Sequence, residues 1–194
     1  MTFVQSLKLC LASLILIPAA AGAQFSVYAA PTLTGFGLSD SNSISFKTDS
    51  GGLTVGGFYN FPIQSRLTAG IDLRDTYSFG SNGGDFAGVA LRIGFVPHKV
   101  RLRPYFQLGG GFVSTTGNAY ALTFNPTVGY LDTVSTQRYT NGAVELVFGL
   151  DIRLTDHIDL RAFDYGAAAG ASNSNTTAAL GFLDAGIVYH FRPR

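Results

Sequence analysis

The chain has 194 residues, only 13% of them charged, and a formal net charge of +1. That balance leaves no basic footprint for nucleic acid. Mean hydropathy is positive at +0.24, yet no apolar run beyond the N-terminal segment is long enough to span a bilayer as a helix.

Residues 1–23 read as a secretory signal peptide. Lys8 supplies the positive n-region, a short apolar stretch follows, and Ala21-Gly22-Ala23 before Gln24 forms an A-x-A cleavage site. Cys10 lies ahead of the apolar stretch, so it does not mark a lipoprotein and leaves with the leader. The expected mature domain, residues 24–194, then has no cysteine, which excludes disulfides and thiolate chemistry. Removing Lys8 from the 13 basic residues leaves 12 against 12 acidic ones, a net charge of zero. The mature part has two lysines, Lys47 and Lys99, and one glutamate, Glu145. A water-facing surface is normally rich in both, so much of this surface is expected to face something else.

Apolar residues then alternate with small or polar ones, the period of a strand with two unlike faces. Eight such segments are predicted. The first covers 25–36, with Phe25, Val27 and Ala29 sharing a face. The second, 53–61, sets Leu53, Val55, Tyr59 and Phe61 against Thr54, Gly56, Phe58 and Asn60. The third, 66–79, sets Leu67, Ile71 and Leu73 against Gly70, Asp72 and Arg74. In the fourth, 86–96, Val89, Leu91, Ile93 and Phe95 oppose Gly88, Arg92 and Gly94. The fifth starts near Arg101, with Leu102, Phe106, Leu108 and Phe112 against Arg103, Tyr105, Gln107 and Gly109. The sixth, 141–154, sets Val144, Leu146, Phe148, Leu150 and Ile152 against Glu145, Gly149, Asp151 and Arg153. The seventh, 158–166, sets Leu160 against Asp159 and Arg161, and its parity blurs at Phe163-Asp164-Tyr165, as a bulge would cause. The eighth ends the chain with Tyr189 and Phe191 on one face.

Connections alternate in length. Those near 61–66, 96–101 and 154–158 are short; those at 37–52, 80–85, 116–140 and 167–178 are longer and polar or small. An even strand count, with short turns on one rim and long loops on the other, is the layout of an all-β, eight-stranded antiparallel transmembrane β-barrel of up-and-down topology. Volume decides which face meets lipid, because an eight-stranded lumen holds only side chains. The bulky set, including Tyr59, Phe61, Phe95, Phe106, Phe112 and Phe148, goes outside. The glycine-rich set goes inside with its charges: Asp72, Glu145, Asp151, Asp159 and Asp184 against Arg74, Arg92, Arg103, Arg153 and Arg161. Five against five predicts an internal ladder of ion pairs that plugs the lumen, since buried charge needs a partner.

The segments Arg103-Pro104-Tyr105-Phe106-Gln107-Leu108-Gly109-Gly110-Gly111, Leu160-Arg161-Ala162-Phe163-Asp164-Tyr165 and Ala185-Gly186-Ile187-Val188-Tyr189-His190-Phe191, together with the signal peptide, carry a resemblance. The chain resembles the small outer-membrane β-barrel superfamily, the OmpA-type transmembrane domain and the OmpX/Ail-type barrels. The resemblance implies residence in the outer membrane of a Gram-negative-type bacterium, contact with its lipids, and delivery by the barrel-assembly machinery through the closing strand, with Tyr189 and Phe191 as assembly signal and aromatic girdle. The peptidoglycan-binding domain of full-length OmpA-type proteins is expected to be absent.

Some barrels of this kind are lipid-modifying enzymes or proteases, which would imply a histidine near Ser, Glu or Asp at the outer rim. The three histidines, His98, His157 and His190, are all expected at the periplasmic rim, away from the Ser and Thr of the long loops, so no base reaches a nucleophile. No catalytic residue, metal ligand set or cofactor is expected. Gly109-Gly110-Gly111 lies inside a strand and lacks the helix a phosphate loop requires. The third long loop is the candidate binding element. Tyr120, Leu122 and Phe124 continue the outward register, Asn125-Pro126 marks a turn, and the return from Tyr130 to Tyr139 is rich in strand formers. A protruding hairpin is predicted, either with edges open to a partner by strand addition, or without a specific partner or packed over the barrel mouth. The expected function is structural or surface-interactive, adhesin-like, by a monomer with a plugged lumen; a narrow porin-like channel is the other class the pattern allows.

Overall fold

A computed structural model describes residues 24–40, 43–79, 84–97, 100–125, 129–171 and 177–191, with side chains described outside 36–49, 115–139 and 171–178. The signal-peptide segment, His98, and the side chains of Tyr120, Leu122, Phe124, Tyr130 and Tyr139 lie outside this description. Eight strands follow in chain order: β1 (Gln24–Asp40), β2 (Ser43–Gln64), β3 (Leu67–Ser78), β4 (Gly84–Phe95), β5 (Leu102–Asn125), β6 (Gly129–Arg153), β7 (Ile158–Ala171) and β8 (Thr177–His190). Each pairs antiparallel with its neighbours, and β8 pairs with β1 to close the barrel.

Alternation along the strands sorts the faces. Arg74, Arg92, Glu145 and Asp184 are buried, whereas Leu91, Phe112 and Val144 are each more than three-fifths exposed. In water so much exposed apolar surface would be an aggregation site; around a closed barrel it is a lipid-facing band. The chain ends of the barrel, Gln24 and His190, share a rim with the short connections after β2, β4 and β6. Short turns mark that rim as periplasmic. Aromatic rings gather there: Phe25 stacks on Phe191 at 5.3 Å between centroids, Phe191 meets Tyr189 edge-on at 5.2 Å, and Tyr189 stacks on His157 at 6.1 Å.

Two strand pairs run further than the sequence pattern suggests. The segment 37–52 was expected as a loop, but β1 and β2 stay paired out to Asp40↔Ser43. β7 and β8 likewise stay paired to Ala171↔Thr177, inside the expected loop 167–178. Glycine, alanine and serine weaken the alternation signal in both places without preventing backbone pairing. The third loop is a hairpin. β4 accompanies β5 as far as Gly84↔Thr115, and β7 meets β6 from Val144↔Ala169. β5 and β6 remain paired to each other up to Asn125↔Gly129. The ten residues from Thr116 to Asn125 extend about 33 Å at the usual strand rise.

A bulge in β7 settles the blurred parity. Asp151 pairs with Arg161, while Leu150 pairs with Phe163, which leaves Ala162 as the extra residue. The bulge turns Asp164 into the lumen and Phe163 out.

Candidate functional site

Two kinds of buried side chain point into the lumen. Arg74, Arg92 and Arg161 form the centre of one buried network. Arg74 Nη2 donates to Asp164 Oδ2 at 2.5 Å and to Gln107 Oε1 at 3.3 Å, and Arg74 Nη1 lies 3.5 Å from Glu145 and 4.0 Å from Asp184. Arg92 Nη2 donates to Asp151 Oδ2 at 2.7 Å, and Arg92 Nη1 lies 3.7 Å from Asp72. Arg161 bridges the two halves, donating to Asp151 and Asp164 at 3.1 Å each. The hydroxyl of Tyr28 and the amide of Gln107 both donate to Asp72, at 2.8 and 3.0 Å. A charge in a low-dielectric interior requires this density of partners.

Aromatic rings supply the rest. The Arg92 guanidinium lies 3.5 Å from the Tyr105 centroid and 4.1 Å from that of Phe58. Arg161 lies 4.0 Å from the Tyr28 centroid and Arg74 4.9 Å from that of Phe182. Desolvated cation–π contacts of this kind are worth about 2 kcal/mol each. Three of the four rings fit because a glycine faces them across a strand pair: Tyr28↔Gly56, Tyr105↔Gly149 and Phe182↔Gly166. A Cβ on Gly149 would overlap the Tyr105 ring, and one on Gly56 would overlap the Tyr28 hydroxyl. The expected lumen of glycine and charge is therefore corrected. The glycines are sockets for large rings; alternation puts Phe58 and Tyr105 on this face but does not show which glycine receives a ring.

The ladder residues divide into groups. Asp72, Arg74, Arg92, Glu145, Asp151, Arg161 and Asp184 meet in the central network, and Asp164, absent from the expected set, joins them through the bulge. Arg103 and Asp159 stand nearer the periplasmic end, where Arg103 Nη1 donates to Asp159 Oδ2 at 2.9 Å. Arg153 does not join the lumen ladder. It ends β6 at the rim, its side chain is 34% exposed, and it pairs with Asp156 of the following turn. Its position at the rim lets a long side chain turn outward to water. His190, expected at the rim, is fully buried in the lumen: its Nδ1 lies 2.6 Å from Ser26 Oγ and its Nε2 2.9 Å from Asp159 Oδ2. The described interior thus holds four arginines, Arg74, Arg92, Arg103 and Arg161, against six carboxylates, Asp72, Glu145, Asp151, Asp159, Asp164 and Asp184.

Above the network, towards the long loops, Phe86, Val113, Ala168 and Leu180 form an apolar layer, each fully buried. The described lumen thus carries a charged layer below and an apolar layer above. The described residues contain no group of three or more His, Cys, Asp or Glu side chains arranged to hold a metal ion.

Fold, faces and packed lumen define a small outer-membrane β-barrel. The family model of the outer membrane protein β-barrel domain matches residues 7–191, and the chain belongs to that family. Among solved structures, Neisserial surface protein A is 16% identical, with 88% of this chain and all of that chain covered and a TM-score of 0.52. Ail, the attachment invasion locus protein of Yersinia pestis, is 13% identical over 87% of this chain and 97% of its own, with a TM-score of 0.47. The N-terminal β-barrel domain of Pseudomonas aeruginosa OprF is 15% identical over 87% of this chain and 99% of its own, also with a TM-score of 0.47. No curated protein matches the chain.

Proposed function

We propose that this outer-membrane barrel acts through its extracellular hairpins, with a lumen that serves as a rigid, non-conducting and non-catalytic scaffold. The supporting observation is the β5–β6 ribbon. Among the described residues, the ladder of β4 on β5 ends at Thr115 and that of β7 on β6 at Val144, while β5 and β6 stay paired to each other beyond, so each offers an edge there. A free edge is a template for strand addition by a partner protein. The packed network and the apolar layer above it support the non-conducting part of this reading. Ser26, His190 and Asp159 have the composition of a hydrolase triad, but Ser26 is completely buried. The acid faces Nε2 and the serine Nδ1, the reverse of the order a serine nucleophile uses.

The test is conductance in a planar bilayer, wild type beside a deletion of residues 118–138. Silence in both forms, from barrels shown to be folded, is expected. Discrete openings would move the assignment to a narrow channel selective through its interior arginines and carboxylates. Protease treatment of intact cells is expected to cut within 116–140; sparing of that segment would count against projection.

A further inference from the structure

We propose that the periplasmic rim is a docking surface for anionic phospholipid headgroups of the periplasmic leaflet. Charge along the chain is sorted by rim. Among the described residues, the three short connections carry Arg66 and Arg101 against one acid, Asp156. That acid is already paired with Arg153. Towards the other rim, the strand ends carry Asp40, Asp49, Asp75, Asp85 and Asp132 against Lys47 and Arg138.

Arg66 and Arg101 make up the described part of the basic rim. Both are exposed. Both are anchored by backbone: the Val96 N–H donates to the Arg66 carbonyl at 2.8 Å, and the Arg153 N–H donates to the Arg101 carbonyl at 2.9 Å. These bonds hold each arginine at the last rung of the barrel. Each therefore stands next to the edge of the lipid-facing band. Phe61 and Ile63, both exposed, precede Arg66, and exposed Leu102 follows Arg101. The basic side chains thus sit at headgroup depth, on the same rim as the aromatic rings of Phe25, Tyr189 and Phe191. At that depth a guanidinium meets lipid phosphate as a charge-assisted, bidentate partner. A zwitterionic headgroup offers the same phosphate with a compensating cation, so a net anionic lipid is favoured.

The test uses the protein isolated from membranes and reconstituted in phosphatidylcholine bilayers, with spin-labelled phosphatidylglycerol and spin-labelled phosphatidylcholine as probes. The fraction of each probe immobilised at the protein surface gives relative affinity. Wild type is expected to prefer the anionic probe about fivefold at low salt, the size expected of one basic side chain near an anionic surface. The preference should collapse in 1 M salt, where the screening length is about 3 Å. Arg66→Gln/Arg101→Gln, confirmed as folded by its heat-modifiable gel mobility, is expected to fall below twofold. Arg66→Lys/Arg101→Lys should keep most of the preference. Equal affinity for both probes in wild type would overturn the proposal, as would a preference that the double glutamine variant retains in full.

Discussion

Ser26 and His190 lie 164 residues apart in the chain and 2.6 Å apart in space, Oγ to Nδ1. They face each other across the β1–β8 seam, where Ser26 pairs with His190. The seam is the last ladder a barrel forms, and it carries a gap: Ala29↔Ile187 is followed next by Thr32↔Asp184, around Pro31, which has no N–H to donate. The buried Ser26–His190–Asp159–Arg103 chain fastens the seam just below that gap. His190→Ala is therefore expected to destabilise the folded barrel by about 1–3 kcal/mol, the cost of stranding buried polar partners. Ser26→Ala should cost less, about 1 kcal/mol. Denaturant unfolding in detergent micelles measures both; equal stability of His190→Ala and wild type would remove this role.

The interior carboxylates outnumber the interior arginines, and the excess has an address. Asp164 and Asp184 are directly opposed on β7 and β8. Asp164 is held by Arg74 and Arg161 at 2.5 and 3.1 Å, whereas Asp184 reaches Arg74 only at 4.0 Å. Asp164→Asn would leave two buried guanidiniums short of a counter-charge and should cost about 3–5 kcal/mol. Asp184→Asn relieves like-charge repulsion and should stay within about 1 kcal/mol of wild type. Equilibrium unfolding of the two variants side by side decides it, and the reverse ranking would refute this reading of the network.

The division between what alternation reveals and what it hides follows from physics at particular residues. A period of two fixes faces wherever large and small residues alternate, so Val144–Asp151 of β6 is legible residue by residue. The extra residue at Ala162 inverts parity for everything after it, which concealed Asp164, the buried carboxylate with the closest arginine contact in the lumen. Tyr28, Phe58 and Tyr105 fall on the inward face by alternation, but their packing was hidden for another reason. They sit on the glycine-rich face, and only the register between strands shows that Tyr28 stands over Gly56 and Tyr105 over Gly149. Register is a property of strand pairs, and a pattern read along one strand does not contain it. Arg153 erred in the opposite sense: its parity points inward, but it stands one step from water.

The closing strand makes a separate prediction. Tyr189 and Phe191 are exposed on the lipid face, and Phe191 stacks on Phe25 of the first strand. The resemblance to other outer-membrane barrels sets the expectation that assembly machinery reads this aromatic end. Phe191→Asn removes the ring from the belt and is expected to lower the amount of protein reaching the outer membrane several-fold. Quantifying the heat-modifiable form in membrane fractions tests it; wild-type levels would show that assembly does not read Phe191.

The ring-and-socket pairs give the sharpest packing test because each involves a glycine with no other evident task. Gly149→Ala adds one methyl where the Tyr105 ring already lies. Overpacking of a filled interior costs about 1–3 kcal/mol. The upper end is expected here, because moving Tyr105 also displaces it from the Arg92 guanidinium 3.5 Å away. Tyr105→Leu alone vacates the socket and forfeits the cation–π contact, so it should also destabilise. In the double variant the added methyl occupies space the ring has left, so the combined loss should be smaller than the sum of the two single-variant losses. A double-mutant cycle on unfolding free energies reads that coupling directly. Strict additivity would mean that Gly149 is glycine for a reason other than Tyr105, and that the ring is held in the lumen by its arginines alone.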